Sequence, residues 1–421
     1  MKSRRSRVRV GSVIFLISVV TVIACGRYLP VVLMKHGSRA FLTAPMATFL
    51  KAMHLVDTSS AVPKAVPSKS GVFEQTRNMA LVDLEAALKH SSLTPEERTE
   101  IVLSHTIERK SLQQFAYKKS LARKRGKSFD VEPQAIPQFN SVGGLPLEFA
   151  LYFEGAIDYH KGNLEEASAK WLELLAMEAD ERYYRTVWAA FMLGKVAMVE
   201  NPNDVAFHFG EARKRAKEGF EDSLGLASAS LGLEAKFFYE SGNYERALEL
   251  YHDQLAGGDN EALASIKVVV GNLLRMKGTA VSPVARNPRT RLIVANLLMS
   301  SELPTHLDTS KAIVSKWLSV LEEEDIQDSR LAEVMATAAY RHGRFKMAQR
   351  WIFRAEPESV VTQWLQAKLH LRDGKEEEAA AIYSLLIPML SAIEEDSLAS
   401  ALSVYRSHYD GNISIDYQIR G

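Results

Sequence analysis

The sequence predicts an all-α chain of paired helices, an α-solenoid of helical hairpins, and three observations carry that prediction. From Val72 onward, apolar residues recur at three- and four-residue spacing almost without interruption, the period of a helix with one buried face. Proline is absent from Leu147 to Asn201 and again from Asn203 to Ser282, as long helical tracts require. A glycine stands five residues before an alanine at Gly162/Ala167, Gly242/Ala247, Gly343/Ala348 and Gly374/Ala379, each pair closing one helical run and opening the next. The glycine permits a tight turn, and the alanine lets the second helix approach the first closely.

The elements follow in order. The first residues carry Lys2, Arg4, Arg5, Arg7 and Arg9 without an acid, and Val10 to Gly26 is uncharged. That is the layout of an export leader, although the same stretch is near the lower limit for a membrane span. Residues 1–25 are therefore either a lipoprotein-type signal or an uncleaved anchor. Residues 26–71 read as a tether, because the run from Asp57 to Ser68 holds Pro63, Pro67 and several serines. In the helical pair over 72–130, Met79, Leu81, Val82, Leu84 and Leu88 mark the first helix. Thr94, Pro95 and Glu97 mark the start of the second as a capping box. A loop with Pro133, Pro137 and Gly143-Gly144 occupies 131–146, and the hairpin array covers 147–408. In the last segment, 409–421, Ile413, Ile415, Tyr417 and Ile419 alternate with polar residues, so it is a tail or a short strand.

Composition narrows the function classes. With 52 basic and 51 acidic residues, the chain lacks the charge excess that backbone-driven nucleic-acid binding needs. The local basic run Lys118, Lys119, Arg123, Lys124, Arg125 and Lys127 is either a solvated helix end or a contact for anionic lipid or polyanion. The 11 histidines include no i, i+4 pair, so no metal site is expected. There is no phosphate-cradling glycine loop and no Gly-x-Ser-x-Gly elbow, and the only cysteine, Cys25, lies in the leader. The sequence points to neither a cofactor nor an enzyme.

Two resemblances refine these expectations. Val22-Ile23-Ala24-Cys25 resembles the lipobox of bacterial lipoproteins, which implies acylation of Cys25. Gly26 in place of Asp beside it then favours the outer membrane or periplasmic face of the envelope. The Gly/Ala pairs, with Trp171, Tyr251, Ile352 and Tyr383 four residues beyond each alanine, resemble the tetratricopeptide repeat, a helix-turn-helix unit of about 34 residues. On that resemblance Gly155, Ala235, Ala336 and Ala367 match the small residue of the first helix, and an altered unit lies at Trp188 to Arg213 around Asn201-Pro202-Asn203. Spacing between the turn glycines is uneven, notably around Gly278, Pro283 and Pro288.

The resemblance also implies a concave face. Tyr159, Tyr239 and Tyr340 stand three residues before turn glycines, and the same face would carry Tyr152, His160, Lys236, Arg341, Trp364, Lys368 and Arg372. Aromatic anchors among cations suit a protein or peptide groove. Equally, these tyrosines could simply pack on the next helix. The expected function is a membrane-tethered, non-catalytic binder of protein or peptide partners in the bacterial cell envelope. The alternative is an accessory or carrier lipoprotein that holds a small molecule, glycan or lipid between its helices.

Overall fold

The computed structural model of the chain describes residues 63–65, 72–125, 143–276, 280–300 and 307–391. The leader with Cys25 and the 409–421 segment lie outside the described residues, as does most of the 26–71 tether. Regular structure among the described residues is helical throughout, without a strand. No described helix is long and apolar enough to cross a membrane.

Two compact units divide the chain, one spanning Thr58–Leu263 and the other holding the residues from Ala264 on. The first contains α1 (Val72–Leu88), α2 (Pro95–Lys124), α3 (Leu147–Lys161), α4 (Leu164–Ala176), α5 (Thr186–Glu200), α6 (Val205–Lys217), α7 (Leu226–Glu240) and α8 (Tyr244–Ala256). Helix α1 packs on α2, and α2 on α3. Beyond them α3 pairs with α4, α5 with α6 and α7 with α8, while α4 meets α5 and α6 meets α7. Helix α9 (Glu261–Arg275) begins at the division.

The second unit continues with α10 (Val281–Arg286), α11 (Pro288–Ser300), α12 (Leu307–Glu323), α13 (Ser329–Arg341), α14 (Phe345–Ile352), α15 (Val360–Arg372) and α16 (Glu376–Ser391). Here α13 pairs with α14 and α15 with α16, and α14 meets α15. Pro288 opens α11 at the first helical position, where its missing donor costs nothing.

The sequence explains the hairpins residue by residue. At the four turns, Gly162, Gly242, Gly343 and Gly374 have φ of 104°, 84°, 73° and 74°. This left-handed conformation is one that a side chain disfavours. It lets the next amide close the preceding helix: Asn163 N–H donates to Asp158 O at 2.9 Å and Asn243 N–H to Phe238 O at 2.8 Å. Arg344 N–H likewise reaches Ala339 O at 2.8 Å and Lys375 N–H reaches His370 O at 2.9 Å. These are Schellman closures, which satisfy carbonyls that a helix end would otherwise leave unpaired.

Each alanine after a turn is buried: Ala167, Ala247, Ala348 and Ala379 are all inaccessible to solvent, as are Ala235, Ala336 and Ala367 on the facing helices. At Gly155 the approach is closer still. A Cβ there would lie 2.5 Å from Trp171 Nε1, whose N–H donates to Tyr152 O at 3.2 Å. The altered unit forms its own hairpin, α5 and α6, with Gly194 against the Phe209 ring, where a Cβ would meet Cδ1 at 2.6 Å. Its turn is a 3₁₀ helix, Pro202–Asp204, in place of a glycine bend. Ahead of the array, the capping box forms as expected. Thr94 N–H donates to Glu97 Oε2 at 2.7 Å, and Glu97 N–H to Thr94 Oγ1 at 3.2 Å.

Because Trp171 is fully buried and cannot swing aside, Gly155→Ala is expected to destabilise the chain by about 1–3 kcal/mol. Gly143→Ala, where a Cβ meets nothing within 4 Å, is expected to change stability by no more than about 0.5 kcal/mol. Urea unfolding of the two variants measures the difference.

Candidate functional site

The face expected from the repeat pattern places its residues unequally. In the first unit, the Tyr159 ring leans on Trp171 with centroids 6.0 Å apart, and the Lys195 ammonium lies 5.0 Å above it. Lys195 comes from α5 of the neighbouring hairpin, and its part in this cluster is invisible in the repeat pattern. His160, beside Tyr159, is pushed down to about 4 by burial and the nearby Lys195 and Lys119 ammonium groups, so it is neutral rather than cationic. Tyr152 is buried at 8% exposure, edge-on to Trp188 at 5.5 Å. Tyr239 stacks edge-on with Tyr244 across its own turn at 5.8 Å. Lys236 is exposed and paired with Glu240 at 2.8 Å.

In the second unit, Tyr340 packs between Phe345 and Trp364, with ring centroids 5.4 and 6.3 Å away. The Arg372 guanidinium, itself exposed, covers the Phe345 ring at 3.5 Å. Trp364 and Lys368 are buried, and Arg341 is half-buried. The tyrosines thus serve both as packing for their own turns and as partly open rings. Lys236 and Arg372 are the freely accessible charges of the set.

The basic run at the end of α2 is partly structural. Lys119 Nζ donates to His160 O at 2.6 Å and to Lys161 O at 3.2 Å, capping the carboxyl end of α3 where a cation is favoured.

A second cluster has no counterpart in the sequence expectations. Arg185 is 1% exposed and Asp83 3%. Arg185 Nη1 donates to Asp83 Oδ2 at 2.8 Å and Nη2 to Ala80 O at 3.0 Å. The guanidinium is sandwiched between the rings of Phe149 and Trp188, each centroid 4.3 Å away. Ser223 Oγ adds a third donor to Asp83 at 3.0 Å. Glu148, in the first turn of α3, accepts N–H from Tyr184 at 2.9 Å and from Arg185 at 2.7 Å, satisfying donors just ahead of α5.

Burial pushes the Glu148 carboxyl up to about 7 against the pull of those amides and of Arg185. His105 completes the core here, edge-on to Phe153 at 5.1 Å, and burial lowers its pKa so that it stays neutral. One signal existed for Asp83: it stands on the buried stripe of α1 between Ala80 and Leu84, where an unpaired carboxylate would be intolerable. Its partner, far along the chain, could not be read. A comparable tie recurs at Glu234, fully buried on α7, which accepts from Arg213 of α6 at 2.7 Å and Arg246 of α8 at 3.4 Å.

These buried charges hold elements together and present no accessible reacting atom. Among the described residues no three His, Cys, Asp or Glu are grouped so as to hold a metal ion. Compared with known proteins, the chain matches no family model and no curated protein.

Removing one partner of the buried pair strands the other. Arg185→Met is expected to cost about 3–5 kcal/mol, and Asp83→Leu combined with it to recover most of that loss; urea unfolding of the single and double variants checks both. Glu148 titrates with the opposite sign to an ordinary ion-paired acid. With its folded value raised to about 7, its stabilising contribution is complete below the ordinary carboxylate range and fades as pH rises through 7. Relative to Glu148→Gln, which keeps an acceptor but cannot ionise, the unsubstituted chain should gain on the order of 2 kcal/mol on going from neutral to mildly acidic pH. Thermal melts of both across that range measure it.

Proposed function

We propose that the chain is a membrane-tethered, non-catalytic α-solenoid of tetratricopeptide-like hairpins that positions a protein or peptide partner in the bacterial cell envelope. The observation that carries this reading is the repetition of one joint. Four hairpins close with the same left-handed glycine, the same amide-to-carbonyl bond and the same buried alanine. Units built alike and packed in succession create long surfaces suited to extended partners. The partly open rings of Tyr159, Tyr239 and Tyr340, with Lys236 and Arg372 nearby in their own units, supply amphipathic contact of the kind that anchors peptides. The basic start, the uncharged run and Cys25 supply the tether, by acylation or as an uncleaved anchor.

Crosslinking in intact cells tests the binding surface. Lys236→Glu with Arg372→Glu is expected to lower recovery of a specific neighbour several-fold without moving the melting temperature, because both side chains are exposed. Unchanged recovery would remove this surface from the reading. The tether is tested separately by Cys25→Ser, which should abolish fatty-acid labelling if the cysteine is acylated.

A further inference from the structure

Helix α2 keeps one face clear of the protein. Its inner face buries Ile101, His105, Leu112 and Phe115. On the opposite side Leu103, Ile107 and Tyr117 are 60%, 62% and 60% exposed. Leu103, Ile107, Lys110, Gln114 and Tyr117 follow one another at alternating spacings of four and three residues, the seam of a heptad pattern. The same seam extends back through Glu100 and Glu96, both exposed. Toward the other end it is bordered by Lys118 and Arg125, also exposed. The free face is therefore acidic at its amino end, apolar in the middle and basic at its carboxyl end, over a helix of 30 residues.

That order of charges selects among occupants. An anionic lipid surface would be repelled by Glu96 and Glu100. A parallel copy would set acid on acid and base on base. An antiparallel copy instead brings Glu96 and Glu100 opposite Lys118 and Arg125, and Leu103 opposite Tyr117, with Lys110 close to the two-fold axis. We propose that this face of α2 is a self-association surface on which a second copy of the chain docks its own α2 antiparallel. The interface is isologous, each surface meeting its twin. Two helices of this length bury on the order of 1,000 Å² in total, the low end for specific contacts, so the dimer exchanges at micromolar concentration. The inference rests on α2 alone and is independent of the envelope reading.

Sedimentation velocity of the full-length chain in detergent provides the test. Concentration-dependent dimerisation is expected. Glu96→Lys with Glu100→Lys should weaken it by about tenfold or more, and adding Lys118→Glu and Arg125→Glu should restore it by exchanging the two ends. Lys110→Leu should strengthen it by removing like charges at the axis. A monomer at every concentration would overturn the proposal, as would a fourfold exchange that fails to rescue. Binding to phosphatidylglycerol vesicles that Glu96→Lys with Glu100→Lys tightens, without self-association, would overturn it in favour of a lipid surface.

Discussion

The close approach of two helix backbones inside each hairpin is the constraint on which the rest of the structure depends. Where Gly155 meets Trp171 and Gly194 meets Phe209, there is no room for even a methyl group. Elsewhere an alanine fills the same seat and is itself fully buried. Close seating lets a large side chain such as Trp171 reach the facing backbone, and it sets the angle at which the next pair can lean. The left-handed turn glycines follow from the same requirement, since a wider loop would let the two helices drift apart.

Packing of neutral side chains is then keyed by a few buried charges. Arg185 draws α1, α3 and the start of α5 onto one guanidinium, which is why the two leading helices and the first hairpin form a single body. Glu234 does the same for α6, α7 and α8. Such groups contribute little net stability over a well-packed apolar equivalent, yet they tolerate only the arrangement that satisfies them. Wrong registers between neighbouring helices would leave an unpaired charge inside.

The hairpin joints were legible in the sequence because each is local: Gly162 and Ala167 sit within one turn of each other, and the bond they permit spans six residues. The capping box at Thr94 and Glu97 was legible for the same reason. The helical period also identified Tyr152, Trp364 and Lys368 correctly as lying along one line of the repeat, but it could not tell that neighbouring helices cover them. That depends on how hairpins stack, a tertiary matter without a local signature. Asp83 and Arg185 lay further out of reach. Each looks like an ordinary surface charge until the fold brings the two together, and only the apolar neighbours of Asp83 hinted otherwise.

Native-state hydrogen exchange resolved to single amides tests the repeated joint most directly. The amides of Asn163, Asn243, Arg344 and Lys375 lie just past a turn, where an open loop would exchange freely, yet each donates to a carbonyl of the helix before it. Protection of all four, comparable to that of the flanking helices, is the predicted result. Exchange at the rate of an unstructured chain at these positions would contradict the account.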